Sequence, residues 1–211
     1  MTDHLMFSEK MTRMNECPQV SVVMPSYNYG QFIAQAITSV IHQTFRGWEL
    51  IIVNNGSTDN TDEVIQPYLH HPRIKYLKIP NSGQAVAKNV GIRNAQGDFV
   101  AFLDSDDWWE PTKLEEQMRL FSNRSEVGVV YTNIRLADMS GQEIHYNPVA
   151  RYQGKILSHM YGISNFVPFS SSMARRSLLS QIGLLDESIQ IGTDYDLWLR
   201  VSIETEFGYI P

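Results

Sequence analysis

Asp104, Asp106 and Asp107 stand within four positions of one another, directly after the apolar run Val100-Ala101-Phe102-Leu103. Such a run reads as a strand buried on both faces. Carboxylates at the end of a buried strand are costly unless a cation offsets them, and a hard divalent metal carrying phosphate oxygens is a common reason for such a site. In open α/β sheets the ligand crevice lies at the carboxyl ends of the strands. Asp-x-Asp alone decides nothing, because acidic turns follow strands in many proteins. Two further strand ends carry polar clusters, Pro25-Ser26-Tyr27-Asn28 and Asn54-Asn55-Gly56-Ser57. Singly they read as a turn and a helix cap, whereas a parallel sheet brings them to one edge with the acidic run. A fourth cluster is Gly192-Thr193-Asp194-Tyr195-Asp196-Leu197-Trp198-Leu199-Arg200. Acids at a helix start are stabilised by exposed amides and the helix dipole, so simple capping accounts for whichever of Asp194 and Asp196 faces away from the crevice.

The elements that position these clusters follow from hydrophobic period. Residues 1–18 are polar, rich in methionine and without period, and read as a loose leader. Val20–Met24 is a first strand, and Ser26–Gly30 a turn in which Asn28 and Gly30 are turn formers. Ile33, Ile37, Val40 and Ile41 fall at helical spacing over 31–43. Glu49–Val53 is a second buried strand, after which Ser57 or Thr58 is placed to cap a short helix bearing Asp59 and Asp62, limited by Pro67. Ile74–Ile79 alternates as a strand, Gly83–Ala95 reads as a helix, and Glu110-Pro111 opens another with Leu114, Met118 and Phe121 on one face. Strand and helix alternate with short connections, which implies an α/β fold with a mostly parallel sheet covered by helices on both faces.

From about Val127 the character changes. Val127–Thr132 is a strand, Asp138–Gly141 a hairpin-like turn, 144–165 irregular, and Phe166–Met173 extended. Arg175–Ile182 and Thr193–Ile203 are helices, and the chain ends at Pro211 in what reads as an incoming strand. The expectation is a single domain over 19–211 with a subdomain boundary near 125, because neither half carries a convincing core alone.

A length of 211 residues with 43% hydrophobic and 19% charged residues fits a soluble globular protein with a substantial core. A net charge of −6 argues against a nucleic-acid partner. The one cysteine, Cys17, precludes an internal disulfide and fits a reducing compartment, so a cytoplasmic location is expected. No apolar run has the length of a membrane span and residues 1–16 lack the apolar centre of a signal peptide, while peripheral association with the inner face of a membrane stays compatible with the sequence. The six histidines are scattered, without ligand spacing to a carboxylate or to Cys17. Trp108, Trp109 and Trp198 read as core or lid packing sooner than as platforms for a ligand ring.

Five stretches together resemble the inverting glycosyltransferases of family 2, which have the Rossmann-like GT-A fold. They are Val22-Val23-Met24-Pro25-Ser26-Tyr27-Asn28, Asn54-Asn55-Gly56-Ser57-Thr58-Asp59, Asn81-Ser82-Gly83 with Ala87-Lys88-Asn89-Val90-Gly91-Ile92, Phe102-Leu103-Asp104-Ser105-Asp106-Asp107, and Asp194 to Arg200. They run in family order from about residue 20 to 203. The resemblance implies a catalytic domain over 19–211, with a nucleotide-sugar donor, a UDP-sugar being expected, in a nucleotide-binding part (19–125) and a saccharide or lipid-linked acceptor at a smaller acceptor-side part (126–211). It implies that Pro25, Tyr27 and Asn55 surround the base and ribose, with Asn28, Ser57, Gly83 and Lys88 also in the nucleotide site. Asp104 would reach the ribose or the metal, Asp106 would ligate Mg²⁺ or Mn²⁺ at the diphosphate, and Asp194 would be the general base.

Three departures from the family pattern stand out. Asn54 and Asn55 stand where the family often has aspartate at one or both positions, and although an asparagine can pair with a uracil edge, this leaves the base selectivity open. Lys88 stands where arginine is usual, keeping the charge but losing the bidentate fork. Thr193 replaces the acid that commonly precedes the base. The Gln-x-x-Arg-Trp motif and membrane spans of processive members are absent from the sequence, which favours addition of single sugars. Two other functions compete. A nucleotidyltransferase would need a glycine-rich, basic phosphate loop after the first strand, which Pro25–Gly30 does not supply. A non-catalytic nucleotide-sugar-binding module gains from the Asn54-Asn55 pair and loses from the intact Asp104, Asp106 and Asp194.

Overall fold

The computed structural model describes residues 17–138, 141–144, 151–163 and 165–211. Its centre is a seven-stranded sheet built from β1 (Val20–Ser26), β2 (Trp48–Asn55), β3 (Ile74–Ile79), β4 (Phe99–Phe102), β5 (Val127–Thr132), β8 (Met173–Arg175) and β9 (Glu206–Ile210). The order is β3-β2-β1-β4-β8-β5-β9. Strands β1 to β4 pair in parallel, and so do β5 and β9, while β8 runs antiparallel to both its neighbours. A separate antiparallel pair joins β6 (Leu136–Ala137) and β7 (Glu143–Ile144).

Every residue of β1 and β2 is buried. Side chains alternate between the two faces, so Val22, Met24, Leu50 and Ile52 enter one core and Val23, Ile51 and Val53 the other. The first core is closed by α1 (Gly30–Ile41) through Ile33, Ile37 and Val40, by Ile65 of α2 (Thr61–Ile65), and by Leu114 and Phe121 of α4 (Lys113–Asn123). The second is closed by α3 (Gln84–Arg93), Met160 of α5 (Leu157–Ile163), Leu179 of α6 (Arg176–Ile182), and Leu197, Trp198 and Val201 of α7 (Thr193–Glu204). Helix α3 lies so close to β1 that a Cβ at Gly91 would stand 2.4 Å from Val23 Cγ1. Any larger residue there forces the helix off the sheet.

Three local expectations change. Neither Ser57 nor Thr58 caps α2, which starts at Thr61 with Asn60 ahead of it, and Asp59 lies outside the helix. The Asp59 carboxylate instead accepts from Thr61 N and Oγ1 and, at 3.0 Å, from Gly30 N, thereby fastening the loop after β1 to the loop after β2. Within 144–165, read as irregular, residues 157–163 form α5, which buries Met160. The stretch 166–173 is extended only in part, since Phe169–Ser171 is a 3₁₀ turn whose Ser171 and Ser172 amides donate to the carbonyls of Pro168 and Phe169. Serine hydroxyls bonding back to the local backbone favour such a turn over a ladder. At the expected hairpin Asp138 N donates to Gln142 O and Gly141 N to Asp138 O, while Met139 and Ser140 lie outside the described residues, as does the expected leader up to 16. No helix of the described residues is long and apolar enough to cross a membrane.

Candidate active site

The parallel register sets Ser26 beside Asn54, Asn55 beside Ile79 and Val23 beside Phe102. The loops after β1, β2, β3 and β4 therefore gather along one edge of the sheet. Strand β8 reaches that edge with its beginning, because it is antiparallel and pairs Met173 with Ala101.

Asn28, in left-handed backbone (φ 58°), is the knot between the first two loops. Asparagine tolerates this conformation better than most residues. Its N–H donates to Ser57 Oγ (3.0 Å), and its Oδ1 accepts from Thr58 N (2.7 Å) and Asp59 N. Asn28 and Ser57 are thus committed to each other, and Tyr27 beside them is exposed, with its ring open to solvent. Asn54 is fully buried. Its Nδ2 donates to Asp62 Oδ1 (2.8 Å) and Tyr76 Oη (2.7 Å), and its Oδ1 accepts from Ser57 N (2.8 Å). Asn54 therefore shapes the loop rather than facing a ligand. Asn55 Oδ1 accepts from Ser82 N at 2.9 Å. That backbone donor fixes the amide orientation and turns Nδ2 away from Ser82. Gly83, with φ 91° and ψ 159°, precedes α3 in a conformation open only to glycine.

After β4, Asp104 is half-buried, and Asp106 and Asp107 are exposed. Lys88, almost wholly buried, places Nζ 3.1 Å from Asp104 Oδ1 and 4.0 Å from the centre of the Phe169 ring. The Lys88 ammonium is thus aimed at the Asp104 carboxylate. Tyr29 sits beside Asp106, whose carboxylate raises the Tyr29 hydroxyl above its ordinary value, first through charge and then, after burial, through a hydrogen bond; Asp104 and Asp107 add to the effect. The carboxyl of Asp107 is raised as well, first because crowding around it removes water, against a hydrogen bond from Ser170. Its residue surface is open to solvent on the outer side.

Among the described residues no group of three His, Cys, Asp or Glu side chains converges to hold a metal with protein ligands alone. Asp104 and Asp106 nevertheless fit a hard cation: they offer carboxylate oxygens at one loop, and Asp104 Oδ1 is a buried oxygen with no hydrogen-bond donor other than the Lys88 ion pair. Mg²⁺ is commonly held by one or two carboxylates with the remaining positions filled by phosphate and water.

Asp194 lies in the first turn of α7 and accepts from Asn165 Nδ2 at 2.7 Å. Asp196, two residues on, is clamped by Arg200 at 2.8 Å, and Arg200 also takes the carbonyl oxygens of Ile182, Gly183 and Leu184. Asp196 is therefore structural, and among the described residues Asp194 has only a neutral partner. Trp198, one turn beyond Asp194 on the same helix, lies 5.4 Å from the ring of Phe169, the same ring that Lys88 covers. An aromatic bridge thus connects the helix of Asp194 to the Asp104 loop. Trp198 and Trp109 are core residues, and Trp108 is exposed. Tyr29, Asn165 and Ser170 were not picked out from sequence. Tyr29 lies in a turn already singled out, whereas nothing in the spacing around Asn165 or Ser170 marks them.

A family model described as "Glycosyl transferase family 2" matches residues 21–183. The chain is 33% identical over 192 residues to an uncharacterized glycosyltransferase of Rickettsia typhi, covering 88% of this chain and 60% of that protein. Among solved structures, S. aureus TarS 1-349 in complex with UDP superposes with a TM-score of 0.72 at 19% identity, over 90% of this chain and 60% of that one. Mannosyltransferase PcManGT from Pyrobaculum calidifontis, in complex with GDP-Man and Mn²⁺, superposes with a TM-score of 0.69 at 17% identity, over 92% and 55%. The chain spans no more than about 60% of the length of these relatives. The fold they share is GT-A, and with the family match running from β1 to the end of α6, the chain belongs to glycosyl transferase family 2.

Proposed function

We propose that the chain transfers a single sugar from a nucleotide-sugar donor to a saccharide or lipid-linked acceptor, with inversion at the anomeric carbon. The observation that carries this reading is the pairing of two unlike carboxylate sites on one scaffold. One is the Asp104–Asp107 loop, partly neutralised by Lys88; the other is Asp194, which has no cationic partner among the described residues. UDP and GDP-Man, named with the neighbouring structures, support the donor class.

Asp104 and Asp106 would hold a Mg²⁺ or Mn²⁺ ion, which when bound supplies positive charge to the leaving diphosphate. Tyr27, Asn55 and Pro25 line the base and ribose side of the same edge. Asp194 takes the proton of the acceptor hydroxyl as that oxygen bonds to the anomeric carbon, and the bond to the diphosphate breaks on the opposite face with its electron pair. One displacement inverts the configuration once. The part after residue 125 seats the acceptor.

The test is thermal stabilisation by nucleoside diphosphates with MnCl₂ or with EDTA, followed by donor turnover. Ligands that bind only the folded state raise its stability by mass action. The wild-type chain gains more with MnCl₂ than with EDTA, and Asp106→Ala loses most of that difference while remaining folded. Equal stabilisation with and without metal, or a product that keeps the donor's anomeric configuration, contradicts the reading.

A further inference from the structure

Between the two carboxylate sites runs one segment, residues 165–172, that touches both. At its start, Val167 N–H donates to Asn165 Oδ1 at 3.1 Å. A backbone N–H can only donate, so the amide is fixed with Nδ2 outward, and that group donates to Asp194 Oδ2 at 2.7 Å. Asp194 Oδ1 keeps its lone pairs clear of any protein donor among the described residues.

At its other end the segment folds into the 3₁₀ turn Phe169–Ser171. The hydroxyls of Ser171 and Ser172 are spent inside the turn, on Pro168 O (2.8 Å) and Phe169 O (2.7 Å). Ser170 alone turns its hydroxyl outward, where Oγ accepts the Asp104 N–H at 3.0 Å and stands beside the Asp107 carboxylate. Three successive carbonyls are fixed by three other elements: Ser170 O by Trp109 Nε1 (2.7 Å), Ser171 O by Gln117 Nε2 (3.0 Å) and Ser172 O by Phe102 N (3.1 Å). Phe169 packs between Phe102, Trp198 and the Lys88 ammonium. A segment fixed at this many points has little freedom to let one site shift against the other.

We propose that residues 165–172 form a positioning brace, with Asn165 orienting the Asp194 carboxylate and Ser170 orienting the Asp104–Asp107 loop. Neither residue touches the reacting atoms, and the assignment rests on the sugar-transfer reading above. The brace fixes the span between the group that takes the proton and the loop that holds the diphosphate, a span on which near-attack geometry depends. Partners that orient functional groups in this way typically change affinity or activity by about 10- to 100-fold when removed.

The two ends are separable by experiment. Asn165→Asp keeps the acceptor for Val167 N–H and the side-chain shape, and replaces the donor to Asp194 with a second carboxylate oxygen that repels it. It lowers kcat by roughly 10-fold or more, measured as hydrolysis of whichever of UDP-GlcNAc, UDP-glucose and GDP-mannose the wild-type chain turns over fastest. The affinity for the matching nucleoside diphosphate with MnCl₂, read by calorimetry, stays within about 2-fold. Ser170→Ala does the reverse: that affinity falls about 10-fold and kcat at saturating donor changes little, while Ser170→Thr, which retains the hydroxyl, restores the affinity. Both variants moving the same parameter, neither moving either, or threonine failing to rescue overturns the brace. A wild-type chain that turns over donor while the variants show no split refutes the brace alone. A wild-type chain that neither binds nor hydrolyses any of these nucleotides takes the functional reading down with it.

Discussion

At the scale of single residues, Asp194 and Asp196 illustrate how two like side chains two positions apart acquire different roles. Asp196 is bonded to Arg200, which also ties down three carbonyls of the 182–184 turn, whereas Asp194 meets one amide. Asp194→Asn preserves shape and cannot take a proton at neutral pH. Turnover then falls by about 10²–10⁴, the usual contribution of a positioned base, with diphosphate binding unchanged. Asp196→Asn leaves turnover within a few-fold, and stopped assays of both variants against the same donor make the comparison. Asn55 is the second residue whose chemistry is exposed by one bond. Asn55→Asp keeps an oxygen for Ser82 N–H but exchanges the outward amide donors for an acceptor. The ranking of uridine, cytidine and guanosine diphosphates by calorimetry then changes, with uridine and guanosine gaining on cytidine because their ring N–H groups find an acceptor; a uniform loss across all three places Asn55 away from the base.

At the scale of elements, the strands and most helices were legible because their burial pattern is written in hydrophobic period. Val127–Thr132 and Ile74–Ile79 have the bounds read from sequence, and the carboxylate loop follows β4 as its apolar run implies. What escaped was set by side-chain bonds, some long-range and some local. The Asp59 carboxylate reads as an acid of the α2 first turn until Gly30, 29 residues away, is seen to hold it. Ser170 sits in a run of serines whose local hydrogen bonds override the extended reading of 166–173. A further cluster of this kind joins β2, α2 and β3: Asp62 accepts from Asn54, Tyr76 and Lys78. The hydrogen bonds from Lys78 and then Tyr76 hold the Asp62 carboxyl below its ordinary value, and burial raises the Tyr76 hydroxyl to about 12. A depressed carboxylate stabilises the fold above its unfolded value of about 4 and loses that contribution as the pH falls through its lower folded value. Denaturant melts at pH 7 and pH 3 should therefore differ less for Asp62→Asn than for wild type, by no more than about 1 kcal/mol because Asp62 is over a third exposed and screened by water.

At the scale of the whole molecule, the seven-stranded sheet does not break where the sequence changes character. Strand β8, from the second half, is hydrogen-bonded to β4 of the first half and to β5 of the second, and the core on one face includes Val23, Phe102, Trp198 and Phe207 together. Heat or denaturant should unfold the chain in one transition, with tryptophan fluorescence and far-ultraviolet circular dichroism coincident; two separated transitions would show that the parts before and after residue 125 fold apart. The antiparallel course of β8 bears on how such chains are recombined. Every carboxylate of the diphosphate side lies before residue 108, so a chimera that takes its donor half from this chain invites a cut near residue 125. Such a cut leaves Ser170 and Phe169 with the other parent, so that β4 and the Asp104 loop meet a β8 and a turn of foreign sequence. The natural joint for exchange therefore lies after Arg175, at the start of α6, where the donor half keeps its own closing strand.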